Sequence, residues 1–302
     1  MSLIESLLVI FTIIFTGIIC ERRNMLNKTQ IEGFELYLFK IAIPCYLFYS
    51  TSHYDLVSLI QLRYISAYLF LFFCMSIVVF LFCRKDNISE ICLKILSSSY
   101  VNSAIYTLPI ITLLLVNPIS AIIGNLTQVI IIQPIFIAIL SFIAHKEKSI
   151  LKRIIAIVST PLVIAPIIGL LFNYFHFMPP KFIDLALQSL GKGVSSIALF
   201  VFGLSLGSIK ISKKDITKEL LLVVMMKNFI HPLFAFYIGK NIFSLEEYWL
   251  TSLVICGSAP PAFMVYIIAK KFSVRPDLVK NSLAISSVLS LVSLTIIMLI
   301  LR

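Results

Sequence analysis

Ten stretches of this chain are apolar over about the length a helix needs to cross a bilayer, and few folds can accommodate that. At 1.5 Å per residue, about 20 apolar residues span the roughly 30 Å hydrocarbon core. The stretches run approximately over residues 2–20, 31–52, 61–83, 91–116, 119–144, 153–175, 182–209, 218–240, 247–270 and 277–301. Of the 302 residues, 60% are hydrophobic and 13% are charged. A soluble globule so composed could not cover itself with polar groups. The predicted fold class is an all-α membrane protein with ten transmembrane helices. Arg22 and Arg23 follow the first stretch, and no basic segment or small-residue cleavage site accompanies it, so it reads as a retained span.

A net charge of +11 would suggest a nucleic-acid partner if the positions of the charges were ignored. Of the 25 Lys and Arg residues, 18 fall in loops after odd-numbered spans and 4 on the opposite side, and Lys40, Lys192 and Lys227 lie within spans. Basic loops stay in the cytoplasm. The charge is therefore topological, no nucleic acid is implied, and both termini are expected outside. The partners expected are membrane lipid and a small solute.

Ten spans divide into two sets of five, at residues 1–150 and 151–302, joined by the short basic loop 145–152. An odd number of spans in each half makes the second inverted relative to the first, an arrangement common among transporters. In each half the fourth span is interrupted. The first reads SSSYVNSAIYTLPI, with Asn102 seven residues before Pro109; the second reads CGSAPPAF, with Pro260 and Pro261 in mid-run. Proline removes a helix hydrogen bond and clashes with the preceding turn. In lipid the freed backbone must face protein or a wet cavity. Two such breaks can meet near the midplane and present half-helix N-termini, which attract anions. The bland alternative is a pair of kinks in packed helices.

With these motifs in place, the sequence resembles the auxin efflux carrier family, whose bacterial members include malate and malonate carriers. The likeness is carried by GIICERRNMLNKTQIEGFELYLFKIAIPCYLF, by Asn102 with Pro109, by TPLVIAPIIGLL and ALFVFGLSLG, by Pro260 with the following Ala269-Lys270-Lys271-Phe272, and by NSLAISSVLSLVSLTIIML. The resemblance implies scaffold spans 1, 2, 6 and 7, transport spans 3–5 and 8–10, and crossing broken helices 4 and 9 with substrate beside the crossing. It makes Asn102, Pro109 and Pro260 the crossover residues, and it favours a homodimer through scaffold helices; the short central loop, more bacterial than plant-like, places the protein in a bacterial inner membrane. The chain departs from the family pattern in having Thr107 where glycine is usual and Met264 and Val265 where polar residues are usual.

Ionisable residues inside a membrane are costly and mark function. Lys192 and Lys227 lie about ten residues inside their spans, whereas no Asp or Glu lies deep in any. Lys40 has Glu35 as a possible partner, and a lysine near a helix end can snorkel to the interface. Lys227 and His231 are one helical turn apart and share a face. Buried cations without buried carboxylates point to an organic anion such as a dicarboxylate. The expected function is a secondary transporter working by alternating access. The expected substrate-binding residues are Asn102, Tyr106, Pro109, Ser258, Pro260, Pro261, Lys192 and Lys227, with His231 as a proton-relay candidate. A membrane sensor or assembly partner that keeps the carrier fold is the alternative. No metal cluster, cofactor motif or nucleotide loop is present, and the chain reads as a non-enzyme. Gly203-Leu204-Ser205-Leu206-Gly207 spells a hydrolase elbow without the strand such an elbow needs; close helix packing is the better reading.

Overall fold

The computed structural model describes residues 3–54, 61–144, 155, 159–209, 211 and 213–300. The central loop 145–152, Arg153, Lys210 and Arg302, which entered the charge argument, lie outside the described residues. What is described is helical, with no strand longer than a single bridge.

Proline sets where these helices depart from the α form. A proline ring collides with the carbonyl four residues earlier, and an inserted residue relieves the clash by opening a π turn. Among the described residues, π turns at Leu38–Ala42, Ser103–Thr107, Gln128–Ile132 and Met226–Ile230 each come just before Pro44, Pro109, Pro134 and Pro232. In each case the carbonyl that the ring would strike lies inside the π turn. A fifth π turn, Ile238–Ile242, ends its helix without a proline.

Five helices among the described residues are long and apolar enough to cross a membrane: Leu62–Cys83, Ile119–Ile143, Lys181–Gly207, Lys218–Ile242 and Pro276–Leu299. The apolar helices Ser103–Leu115 and Pro161–Tyr174 are shorter. A half-helix such as Ile88–Ser99, of 12 residues, reaches only roughly 18 Å and falls short of that length. The chain is an integral, multi-pass membrane protein. Its apolar surface fits that solvent: Phe73, Phe80, Leu81 and Phe82 of Leu62–Cys83 are all exposed.

The described chain forms two compact units. The first comprises Met1–Gln61, Ala104–Leu126 and Ile155–Ser208. Here helix Leu3–Arg22 lies along Val194–Gly207, and Pro161–Tyr174 along Ile43–His53. The approach is close enough that a Cβ on Gly203 would stand 2.1 Å from the Ile14 carbonyl oxygen, and one on Gly17 2.3 Å from that of Phe200. The GLSLG sequence is a packing stripe of small residues, as membrane helices use, and the Ser205 hydroxyl donates to the Phe202 carbonyl at 2.7 Å.

The second unit comprises Leu62–Ser103, Thr127–Ile154 and Ile209–Arg302. Helix Pro276–Ile300 packs on Lys218–Met225, Glu247–Ser258, Phe263–Phe272 and Ile88–Ser99. It buries Ser282, Ser286, Ser287, Ser290 and Ser293. Small polar residues at such contacts let backbones approach and hydrogen-bond without solvent.

Candidate functional site

The chemistry of the second unit gathers where two helices stop and restart. Ile88–Ser99 ends at Tyr100, whose backbone is extended, and helix resumes at Ser103. Glu247–Ser258 ends at Ala259, also extended, and helix resumes at Phe263 after an extended Ala262. The second interruption falls at Pro260-Pro261; the first falls at Asn102, while Pro109, expected to break this span, stands inside the restarted helix Ser103–Leu115.

The interruptions pair. Val101 and Pro261 form an antiparallel bridge. The Asn102 N–H donates to the Pro260 carbonyl at 2.9 Å, and the Ala262 N–H to the Tyr100 carbonyl at 3.3 Å. Proline at 261 costs this bridge nothing, because in such a pair the central residues point their own polar groups away from each other. Pro260 and Pro261 are buried, and Asn102 is 8% exposed. The breaks thus satisfy each other's backbone in a place where water is scarce, as irregular backbone at membrane depth must.

Buried hydroxyls cluster just before the first break. The Ser97, Ser98 and Ser99 hydroxyls have no hydrogen-bond partner among the described residues, and all three residues are within 2% of full burial. Buried polar groups of this kind need water or a ligand. Ser258, before the second break, spends its hydroxyl on the Ile255 carbonyl at 2.9 Å.

Lys227 and His231 stand in the same unit, on the π turn and helix around Pro232. Lys227 Nζ is 2.9 Å from His231 Nδ1, and the residues are 0% and 2% exposed. His231 also hydrogen-bonds the backbone of Gly257. A ring N–H given to that carbonyl leaves Nδ1 to accept from the lysine. Gly257 is fitted to this contact, since a Cβ there would lie 2.9 Å from Ala235 Cβ and 3.0 Å from Pro232 Cα. The next residue, Asn228, donates to Ser286 Oγ at 2.8 Å.

Asn102, Ser258, Pro260, Pro261, Lys227 and His231 therefore all belong to the second unit. Tyr106 and Pro109 follow the unit boundary at Ser103/Ala104 and belong to the first. Tyr106 is fully buried, its ring edge-on to Phe202 at 5.2 Å, and Pro109 is buried as well. Lys192, also in the first unit, is the last residue of helix Lys181–Lys192 and is exposed. Lys40 is exposed on its π turn. Val265 is buried at the start of the restarted helix, while Met264 is 37% exposed.

Sequence reasoning missed three residues. Gln128 and Gln133 reach the first break from another helix. The available signal was a pair of amides shortly before Pro134 in an otherwise apolar run. Lys94, counted above as a loop charge, is 2% exposed and held by Asp86 Oδ2 at 2.6 Å and by Glu219, which also binds Arg275.

Residues 143–298, just over half of the chain, match the model of a family described as membrane transport protein. Over 305 residues the chain is 26% identical to the uncharacterized transporter YfdV of Escherichia coli (strain K12), spanning 94% of this chain and 92% of that protein. It is 23% identical over 324 residues to the lysosomal cholesterol signaling protein of Mus musculus, spanning 95% of this chain and 36% of that protein. The matches bear out the resemblance to auxin efflux carriers that the motifs carried.

Proposed function

This chain belongs to the membrane transport protein family, and from that premise we propose that it is a secondary carrier for a small organic anion, such as a dicarboxylate, working by alternating access. The observation that carries the reading is the mutual pairing of two broken helices, with the Asn102 N–H on the Pro260 carbonyl. Helix Phe263–Phe272 restarts beyond the second break, and the positive end of its dipole favours an anion. Asn102 supplies an amide from the first break, and Lys227, the buried cation of the same unit, supplies the counter-charge. His231 fixes that lysine and is the route by which a proton would reach it. Ser258, Pro260 and Pro261 shape the second break, and Tyr106, Pro109 and Lys192 complete the set of substrate-binding residues in this reading.

In the same reading, broken pieces count as pairs, giving ten membrane spans in two inverted repeats divided near residue 150. Spans 1, 2, 6 and 7 form the scaffold, and spans 3–5 and 8–10 the moving part. Both termini lie outside a bacterial inner membrane, and a homodimer forms through the scaffold. Nothing in this mechanism needs a cofactor or a covalent step.

Uptake of labelled malonate into proteoliposomes tests the proposal. Wild-type protein should accumulate it and Asn102→Ala should not; unchanged kinetics in the variant would remove Asn102 from the mechanism. One observation favours a second reading, a sensor that keeps the carrier fold: Met264 and Val265 make the second restart apolar. One relative bears a signaling name. Counterflow of malonate in purified vesicles separates the two, since a sensor gives none.

A further inference from the structure

Helix Ile119–Ile143 carries two glutamines, five residues apart. In an α-helix, residues five apart point about 140° away from each other. The π turn Gln128–Ile132, opened by Pro134, changes that: the Gln133 N–H bonds the Gln128 carbonyl, and residues joined in this i to i+5 pattern stack on one face. Both side chains are buried, at 1% and 2% exposure. Both meet the same short piece of chain.

Gln128 treats Val101 as a neighbouring strand would. The Val101 N–H donates to Gln128 Oε1 at 2.6 Å, and Gln128 Nε2 donates to the Val101 carbonyl at 3.2 Å and to Ser103 Oγ at 2.6 Å. Gln133 Oε1 accepts from the Tyr100 hydroxyl at 2.7 Å. The opposite edge of the segment is already occupied, because Tyr100 and Asn102 bond Ala262 and Pro260. The break at Tyr100–Ser103 is thus held on one edge by backbone and on the other by side chains. An extended segment with an open edge does not survive in lipid, and the glutamines close it.

We propose that Gln128 and Gln133, brought into line by the π turn of Pro134, are positioning residues. They clamp the Tyr100–Ser103 break and thereby fix the direction in which Asn102 presents its amide. The effect on substrate rests on the anion-carrier reading above; the hold on the backbone does not.

Two measurements on the purified full-length protein decide the matter. Hydrogen exchange is read on peptides covering 99–104, with Leu62–Cys83 as internal control, and malonate uptake is read as KM and maximal rate. Gln128→Ala should speed exchange at 99–104 by about tenfold and raise KM by a similar factor while the maximal rate stays nearly constant, since binding rather than movement is impaired. Gln128→Glu keeps the acceptor for the Val101 N–H and loses both donated bonds, so it should fall between wild type and Ala. Tyr100→Phe removes one hydroxyl without emptying the site, and it serves if Gln128→Ala does not fold; it should speed exchange more weakly. Pro134→Ala should resemble Tyr100→Phe, because the relaxed helix turns Gln133 away. Unchanged exchange at 99–104 in both Gln128→Ala and Tyr100→Phe overturns the clamp. Faster exchange with unchanged KM overturns the positioning role. Wild-type protein that carries no malonate, with exchange still faster in Gln128→Ala, overturns the anion reading and supports the clamp.

Discussion

Lys227 Nζ sits 2.9 Å from His231 Nδ1, and neither residue reaches solvent. Removing a charge from water costs several kcal/mol, and a neutral imidazole returns only part of it. Replacing such a charge with an apolar residue of similar volume is often neutral or stabilising. Lys227→Met should therefore leave the melting temperature unchanged or higher. If Lys227 is the counter-charge to a carboxylate, the same variant should lose about tenfold or more in kcat/KM for malonate. Stability and transport moving in opposite directions would separate a functional lysine from a structural one. A parallel loss of both assigns Lys227 to packing.

His231 offers a narrower test. Glutamine keeps an acceptor near Lys227 but cannot carry a proton. Malonate uptake by His231→Gln should lose the pH dependence that the wild type shows, because an amide takes up no proton. A pH profile that matches the wild type removes His231 from any proton path.

Lys94 makes the opposite prediction from Lys227, because its charge is paired. Its ammonium lies between Asp86, at 2.6 Å, and Glu219, and Arg275 binds Glu219 from the other side. Those elements are the N-terminal ends of Lys218–Met225 and Pro276–Ile300 and the turn before Ile88–Ser99. Lys94→Met strands two carboxylates beside each other. Breaking a fully buried pair costs about 3–5 kcal/mol, and the partial exposure of Asp86 and Glu219 reduces that to roughly 1–3 kcal/mol. Thermal unfolding in detergent should show the loss, and raised salt should not restore it.

The contrast between these lysines shows what the sequence could and could not disclose. The apolar, helical character and the two breaks were legible because their causes are local: apolar runs of membrane-spanning length, and clusters of polar residues and prolines within them. Depth was not. Lys94, at the start of the stretch 91–116, reads as a loop charge, yet Glu219, 125 positions later, folds onto it. Lys192 lies about ten residues into its run, at the junction of Lys181–Lys192 and Val194–Gly207, and its side chain is exposed. Gln128 reaches Val101 across 27 positions, and only the packing of two elements reveals that the amide has a backbone to hold.

The glycines of the first unit give the cleanest stability test, because their surroundings differ so sharply. A Cβ on Gly203 would stand 2.1 Å from the Ile14 carbonyl oxygen and 3.0 Å from Gly17 Cα. Backbone cannot swing aside as a side chain can, so helix Val194–Gly207 must move off Leu3–Arg22. Overpacking typically costs about 1–3 kcal/mol, and contact with backbone belongs at the upper end. Gly33, in helix Lys28–Tyr37, has nothing within 4 Å of the same added atom. There alanine relieves glycine's conformational freedom, and Gly33→Ala should gain up to about 1 kcal/mol. Ser205 lies between the two small residues but is not fixed by the crossing; its hydroxyl bonds its own helix. Ser205→Ala should be near neutral in both melting temperature and malonate uptake. A Ser205→Ala variant that folds normally and transports nothing would mean that GLSLG is more than a seam between helices.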